Sequence, residues 1–170
     1  MLRQLRSLML PIGVVVIIPF LLNTSFKPFH IKHNFAYSAV QMPIGALLFG
    51  IGMLLLTVSI RLIIMKGKGT LAPWDLTKKM VVQGIYRYTR NPMISAVVAM
   101  LLGEAIFLGS WVLFVWFAVN VIANTIYFKL SEEPGLQKRF GKEYLEYKNN
   151  VPMWIPRTKP WNPKETFRDK

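Results

Sequence analysis

The sequence predicts an all-α integral membrane protein with about four transmembrane helices, the last two forming a hairpin that leads into an amphipathic helix on the cytoplasmic side. Three observations carry this. Long runs have no charge, 53% of the 170 residues are hydrophobic, and the runs lack the polar stripe at 3.6-residue spacing that a soluble helix would show. The absence of cysteine removes disulfides, thiolate metal sites and thiol nucleophiles from consideration.

The first span follows from the 20 uncharged positions between Ser7 and Phe26, about 30 Å as a helix and enough to cross the hydrocarbon layer. Arg3 and Arg6 ahead of it resemble a signal peptide, but "LLNTSFKPF" offers no small-x-small cleavage site, so an uncleaved anchor is expected. The second span is the 27-residue uncharged run Asn34 to Ile60, in which Ala46 and Gly50 offer a small-xxx-small packing face. From Asn91 to Phe128 a single charge, Glu104, interrupts 38 residues, and Gly109 with Ser110 supplies a turn near the middle. Two spans of about 18 residues each therefore form a hairpin. After Pro134 the chain becomes charged, with Leu136, Phe140, Tyr144 and Tyr147 recurring at helical spacing as an amphipathic helix to Asn150. Pro134 suits its first turn, and Glu132 and Glu133 suit the positive end of its dipole.

Lys and Arg set the orientation: two precede the first span, two lie between spans one and two, seven between Arg61 and Arg90, and ten from Lys129 onward. The positive-inside rule then places both termini and the connection 61–92 in the cytoplasm, with the loop 27–33 and the Gly109 turn outside. Three regions are expected: a two-span part (1–66), a cofactor region with hairpin and amphipathic helix (67–156), and a basic tail (157–170). The excess of 21 Lys and Arg over 8 Asp and Glu fits anionic lipid headgroups rather than nucleic acid in a chain with such apolar runs.

Polar chemistry concentrates in "GTLAPWDLTKKMVVQGIYRYTRNP", in Glu104, and in "SEEPGLQKRFGKEY". An antiparallel hairpin of equal spans makes the residues just before span three and just after span four emerge side by side, so Arg90 neighbours Glu132 and Glu133. Read plainly, that is an interfacial salt bridge, and Asn91-Pro92 is a helix start. Glu104 is costly within a span and marks a functional or paired position, with Asn120 and Asn124 as candidate partners. His30 and His33 lack a third ligand, so no metal site is expected.

The segments "GIYRYTRNPM", "LGEAIFLGS" and "SEEPGLQKRFGKEYLEYKNNVPMWIP" together resemble the isoprenylcysteine carboxyl methyltransferase family and its prokaryotic relatives, over Gly69 to Pro156. Arg90 and Pro92 fall on that family's Arg-His-Pro-x-Tyr signature, Glu132 and Glu133 on its paired acids, and Leu136, Phe140, Gly141 and Tyr144 on its closing helix. Asn91 stands in place of His, Ile94 in place of Tyr and Ala96 in place of a usual Gly. The resemblance implies an S-adenosylmethionine-dependent methyltransferase with Arg90 and Glu133 in catalytic roles. Its cofactor would be surrounded by Tyr86, Tyr88, Arg90, Asn91, Pro92, Glu104, Glu132, Glu133, Leu136 and Phe140.

The chemistry of that donor is compatible with these residue types. Arg90 suits its carboxylate, the two glutamates its diol and ammonium, and Tyr86, Tyr88 or Phe140 its adenine. The expected acceptor is small or lipid-borne, lipophilic or membrane-associated, and a lipid-borne one could enter sideways from the bilayer. Two other readings share the fold: an NADPH-dependent membrane reductase, for which Lys78, Lys79, Arg87, Lys138 and Arg139 would meet the 2'-phosphate, and a non-catalytic relative.

Overall fold

A computed structural model of the chain describes residues 11–26, 35–67 and 80–162, with the side chains of 35–38, 66 and 67 left aside. All regular structure among these residues is helical. The first four residues of span one, the histidines at 30 and 33 and the lysines at 78 and 79 lie outside them.

The first helix, α1 (Ile18–Ser25), continues a π-helical turn, Gly13–Ile17. Pro19 explains the widening, because it has no N–H to give and crowds the carbonyl one turn back. With the Ile18 N–H bonded to the Gly13 carbonyl, the next donor along that pattern would be Pro19. The Val14 carbonyl is served instead by the Trp116 indole N–H at 3.2 Å, which ties α1 to the fourth helix.

Helix α2 (Phe35–Leu62) runs into a second π-helical turn, Ile63–Gly67, so it is longer than the uncharged run that announces it. It packs most extensively against α3 (Pro92–Leu108). Glycine makes that approach possible. A Cβ on Gly45 would sit 2.6 Å from the Phe107 nitrogen and 2.7 Å from the Gly103 oxygen, and one on Gly52 would sit 2.8 Å from the Ala96 oxygen. Ala46 and Gly50, the expected packing pair, face outward, and a Cβ on Gly50 would meet nothing within 4 Å. The close-packing face is therefore rotated about one residue from the one the small-xxx-small spacing suggests. Gln41 on α2 is buried and donates its amide to the Ile106 carbonyl, with a weaker contact of 3.4 Å to Phe107. It thus adds a second donor to the Ile106 carbonyl and reaches the Phe107 carbonyl, at the end of α3 where helical donors run out.

Gly109 takes a left-handed conformation (φ 57°, ψ 40°). Its N–H bonds Ile106 at 3.1 Å, and that of Ser110 bonds Ala105 at 3.2 Å. This Schellman pair terminates α3, and the chain turns back at once into α4 (Trp111–Tyr127). The hairpin and its Gly-Ser turn lie where the sequence places them.

After α4 the backbone stays helical through a third π-helical turn, Phe128–Glu132, and into α5 (Glu133–Asn150). Pro134 therefore starts no new helix, and Glu132 and Glu133 sit within a continuing helical path rather than at a free positive end. The break comes later. Gly141 (φ 55°, ψ −127°) leaves helical geometry altogether, so the straight amphipathic helix expected from the aromatic spacing is two short helices joined at a corner.

Two helices, Ala39–Met65 and Trp111–Asn150, are long and apolar enough to cross a membrane, and Gly13–Ser25 and Pro92–Leu108 are shorter apolar helices. Their large side chains point outward: Leu47, Leu54 and Val115 are each more than 60% exposed. In water such a surface is unfavourable, whereas in lipid it costs nothing. Interior packing is divided between a cluster among the helices (Val15, Met100, Leu101) and one at the Arg90 end (Val82, Tyr144, Tyr147, Val151).

Candidate active site

The segment ahead of α3 is short, polar and aromatic, and it is held by main-chain bonds to the end of the described chain. A 3-10 turn, Gly84–Arg87, carries the buried Tyr86. Beyond it, Arg90 N–H donates to the Pro152 carbonyl at 2.9 Å, and the carbonyls of Tyr88 and Arg87 accept from Arg157 and Trp161 at 3.0 and 2.9 Å. Thr89 Oγ1 donates to the Met153 carbonyl at 2.8 Å, and the Tyr147 hydroxyl donates to the Tyr86 carbonyl at 2.6 Å. Residues 151–162 thus lie as a strap along 86–90. The part of the basic tail up to Asn162 belongs to this layer, with Trp161 packed 5.8 Å from the Tyr147 ring.

Arg90 is the centre of the arrangement. Its Nη1 lies 2.6 Å from Glu133 Oε1, and the two side chains are only 9% and 7% exposed. The same nitrogen stands 3.4 Å from the Tyr144 hydroxyl, and the guanidinium carbon is 5.8 Å from the Phe128 ring centroid. Lys148 Nζ takes the other carboxylate oxygen, Glu133 Oε2, at 2.5 Å. The corner at Gly141 makes this possible. Glu133 and Lys148 are 15 residues apart in sequence, about 22 Å along a straight helix.

The adjacent acids differ in kind. For Glu133, burial alone would raise the carboxyl, but hydrogen bonds from Lys148 and Arg90 and the charges behind them hold it below its ordinary value. Glu132 is half-buried and, among the described residues, has no hydrogen bond or ion pair, and burial pushes its carboxyl up. Its charge is felt by the buried Tyr86, whose phenol is raised first by burial and then by Glu132. Burial likewise pushes Tyr144 up to about 12.

The other expected site residues divide by location. Asn91 is buried and forms no side-chain cap, leaving its Nδ2 without a partner, and Pro92 is fully buried at the first position of α3. Tyr88 is half-buried beside Arg90. Leu136 and Phe140 pack against the cluster of Val82, Tyr144, Tyr147 and Val151. Glu104 stands apart, 12 residues beyond Pro92 on α3 and so about 18 Å along the helix. Its Oε2 is buried without a partner, and the amides of Asn120 and Asn124 turn back to Trp116 and Asn120 of their own helix. The expected pairing of Glu104 with either asparagine is not formed.

Lys148 and Tyr144 enter the charge cluster without having been singled out for it. A positive residue three or four places from aromatic core positions carries no signal by itself, and only the Gly141 corner brings it to Glu133.

Residues 40–143 match the sequence model of a family described as phospholipid methyltransferase. The match covers more than half of the chain and includes α3, its hairpin partner, Arg90 and both glutamates. This chain belongs to the phospholipid methyltransferase family. It is a membrane methyltransferase, and the resemblance to the isoprenylcysteine enzymes widens to the integral-membrane family to which they are related. No curated protein sequence matches the chain.

Proposed function

We propose that this membrane methyltransferase takes its methyl group from S-adenosylmethionine and passes it to a lipid-borne acceptor, at a multi-pass site on the cytoplasmic face. The observation that carries the reading is the buried Arg90–Glu133 pair beside the unpaired Glu132, in a family of methyltransferases that generally use this donor. When bound, S-adenosylmethionine supplies an electrophilic methyl on a sulfonium whose positive charge disperses as the group departs.

The residues present fit such a ligand. Arg90 has a buried Nε–H without a protein acceptor, and Asn91 has a buried amide nitrogen in the same condition. Buried donors of this kind are costly unless a ligand completes them. Arg90 takes the amino-acid carboxylate, and Glu132, which has no cation among the described residues, takes the ammonium or the ribose hydroxyls. Tyr88 beside Arg90 is the aromatic face available for adenine, since Tyr86, Leu136 and Phe140 are engaged in packing. Methyl transfer is an in-line displacement, so for an acceptor that is already deprotonated, such as a carboxylate or thiolate, the chain's task is alignment and exclusion of water. A site at the start of α3 lies level with lipid headgroups, where a lipid acceptor can arrive sideways.

Detergent-purified protein titrated in parallel with S-adenosylmethionine and NADPH tests the reading. Saturable binding of the first and none of the second is expected, and Glu132→Gln weakens the first about tenfold, the scale of one charge-assisted hydrogen bond. Binding of NADPH alone would move the chain to the reductase reading, and binding of neither would favour a non-catalytic relative.

A further inference from the structure

An arginine and a carboxylate that meet in a buried site ordinarily form a two-pronged fork, each oxygen accepting from a separate nitrogen. Arg90 and Glu133 do not. Only Nη1 reaches Glu133, through Oε1 at 2.6 Å. The second oxygen, Oε2, is held by Lys148 at 2.5 Å. Arg90 Nε, on the other edge of the guanidinium, is buried and has no partner among the described residues.

We infer that Lys148 is a positioning residue, which occupies one oxygen of Glu133 so that Arg90 keeps a free N–H edge for the donor's carboxylate. This rests on the reading that Arg90 receives that carboxylate. Without Lys148, Glu133 Oε2 has no cation and swings onto Arg90 Nη2, closing an end-on fork that claims the nitrogen Arg90 needs beside Nε to grip the ligand's carboxylate.

The backbone is built to deliver this lysine. Gly141 adopts a conformation that favours glycine (φ 55°, ψ −127°), and the helix turned by it brings Lys148 to Glu133 and Tyr144 to Arg90. Lys148 is 37% exposed, so its ammonium reaches Glu133 from the solvent edge and its removal opens no core cavity.

The test compares two ligands on the intact protein in detergent: S-adenosylmethionine and its decarboxylated analogue, which lacks only the carboxylate. Lys148→Met is expected to weaken S-adenosylmethionine about tenfold to a hundredfold, the range of a hydrogen bond to a charged group, and to change the analogue by less than about twofold. Lys148→Arg restores the affinity. Unchanged affinity for both ligands in Lys148→Met overturns the inference. Equal weakening of both also overturns it, since that is what a purely structural lysine would do. Failure of the wild-type protein to bind S-adenosylmethionine would instead overturn the assignment of the donor.

Discussion

Glu132 and Glu133 are the same amino acid at adjacent positions, yet their surroundings give them opposite relations to stability. Glu133 is buried between two cations, and its carboxyl is held below the ordinary 4.5. A depressed carboxyl contributes stability that is fully present above the unfolded value and is lost as pH falls through the folded one. Glu133→Gln leaves Arg90 buried and unpaired, a loss of about 3 kcal/mol. In a denaturant titration in mild detergent, the variant should unfold earlier at neutral pH and converge on the wild type as pH falls below the ordinary carboxylate value and through the lowered folded one, once both carry a neutral group there. Glu132→Gln should change stability by less than about 0.5 kcal/mol, as expected for a side chain without a protein partner. The meeting of Arg90 with this acid pair was legible in the sequence because equal antiparallel spans leave little choice about which residues emerge together. Which acid would be bound and which left open was not legible, since spacing alone treats neighbours alike.

At the level of elements, the hairpin and the closing helix show how far a pattern can be trusted. Glycine and serine in the middle of a run too long for one span mean a turn whatever surrounds them, and the Gly109 turn is found there. The aromatic spacing after Pro134 is equally regular, but a straight helix and one cornered at Gly141 bury the same Leu136, Phe140, Tyr144 and Tyr147. Hydrophobic pattern cannot separate them. What separates them is backbone conformation, which makes a sharp prediction. A Cβ added at Gly141 would meet nothing within 4 Å, so Gly141→Ala carries only the strain of a positive φ, about 1–3 kcal/mol. Relief of that strain requires the corner to straighten, which pulls Lys148 from Glu133. Amide hydrogen exchange is expected to quicken across 142–150 in Gly141→Ala while the amides of Pro92–Leu108 keep wild-type protection. Quickening across both would mean that the corner supports the whole bundle and not the site alone.

At the scale of the molecule, the outward apolar faces of α2 and α4 and the polar strap at one end of the bundle divide the surface into a lipid-facing belt and a water-facing cap. The distribution of Lys and Arg predicts which side the cap is on: seven lie from Arg61 to Arg90 and ten from Lys129 onward, against two in the connection between the first two expected spans. Each short loop rich in base is retained on the cytoplasmic side, so the cap that carries Arg90, Glu133 and Lys148 is expected there. The chain contains no cysteine, and single substitutions therefore report without background. Lys142→Cys, on the exposed side of α5, should react with a membrane-impermeant maleimide only after the cells are opened, whereas Lys32→Cys should react on intact cells. Reaction of both on the same side would require an even number of crossings between them, where spans two to four supply three. The reverse pattern would keep four crossings but turn the site outward, where a donor made in the cytoplasm could not reach it. The proposed transfer from S-adenosylmethionine therefore depends on the orientation that the basic residues predict, and the labelling pattern tests that orientation.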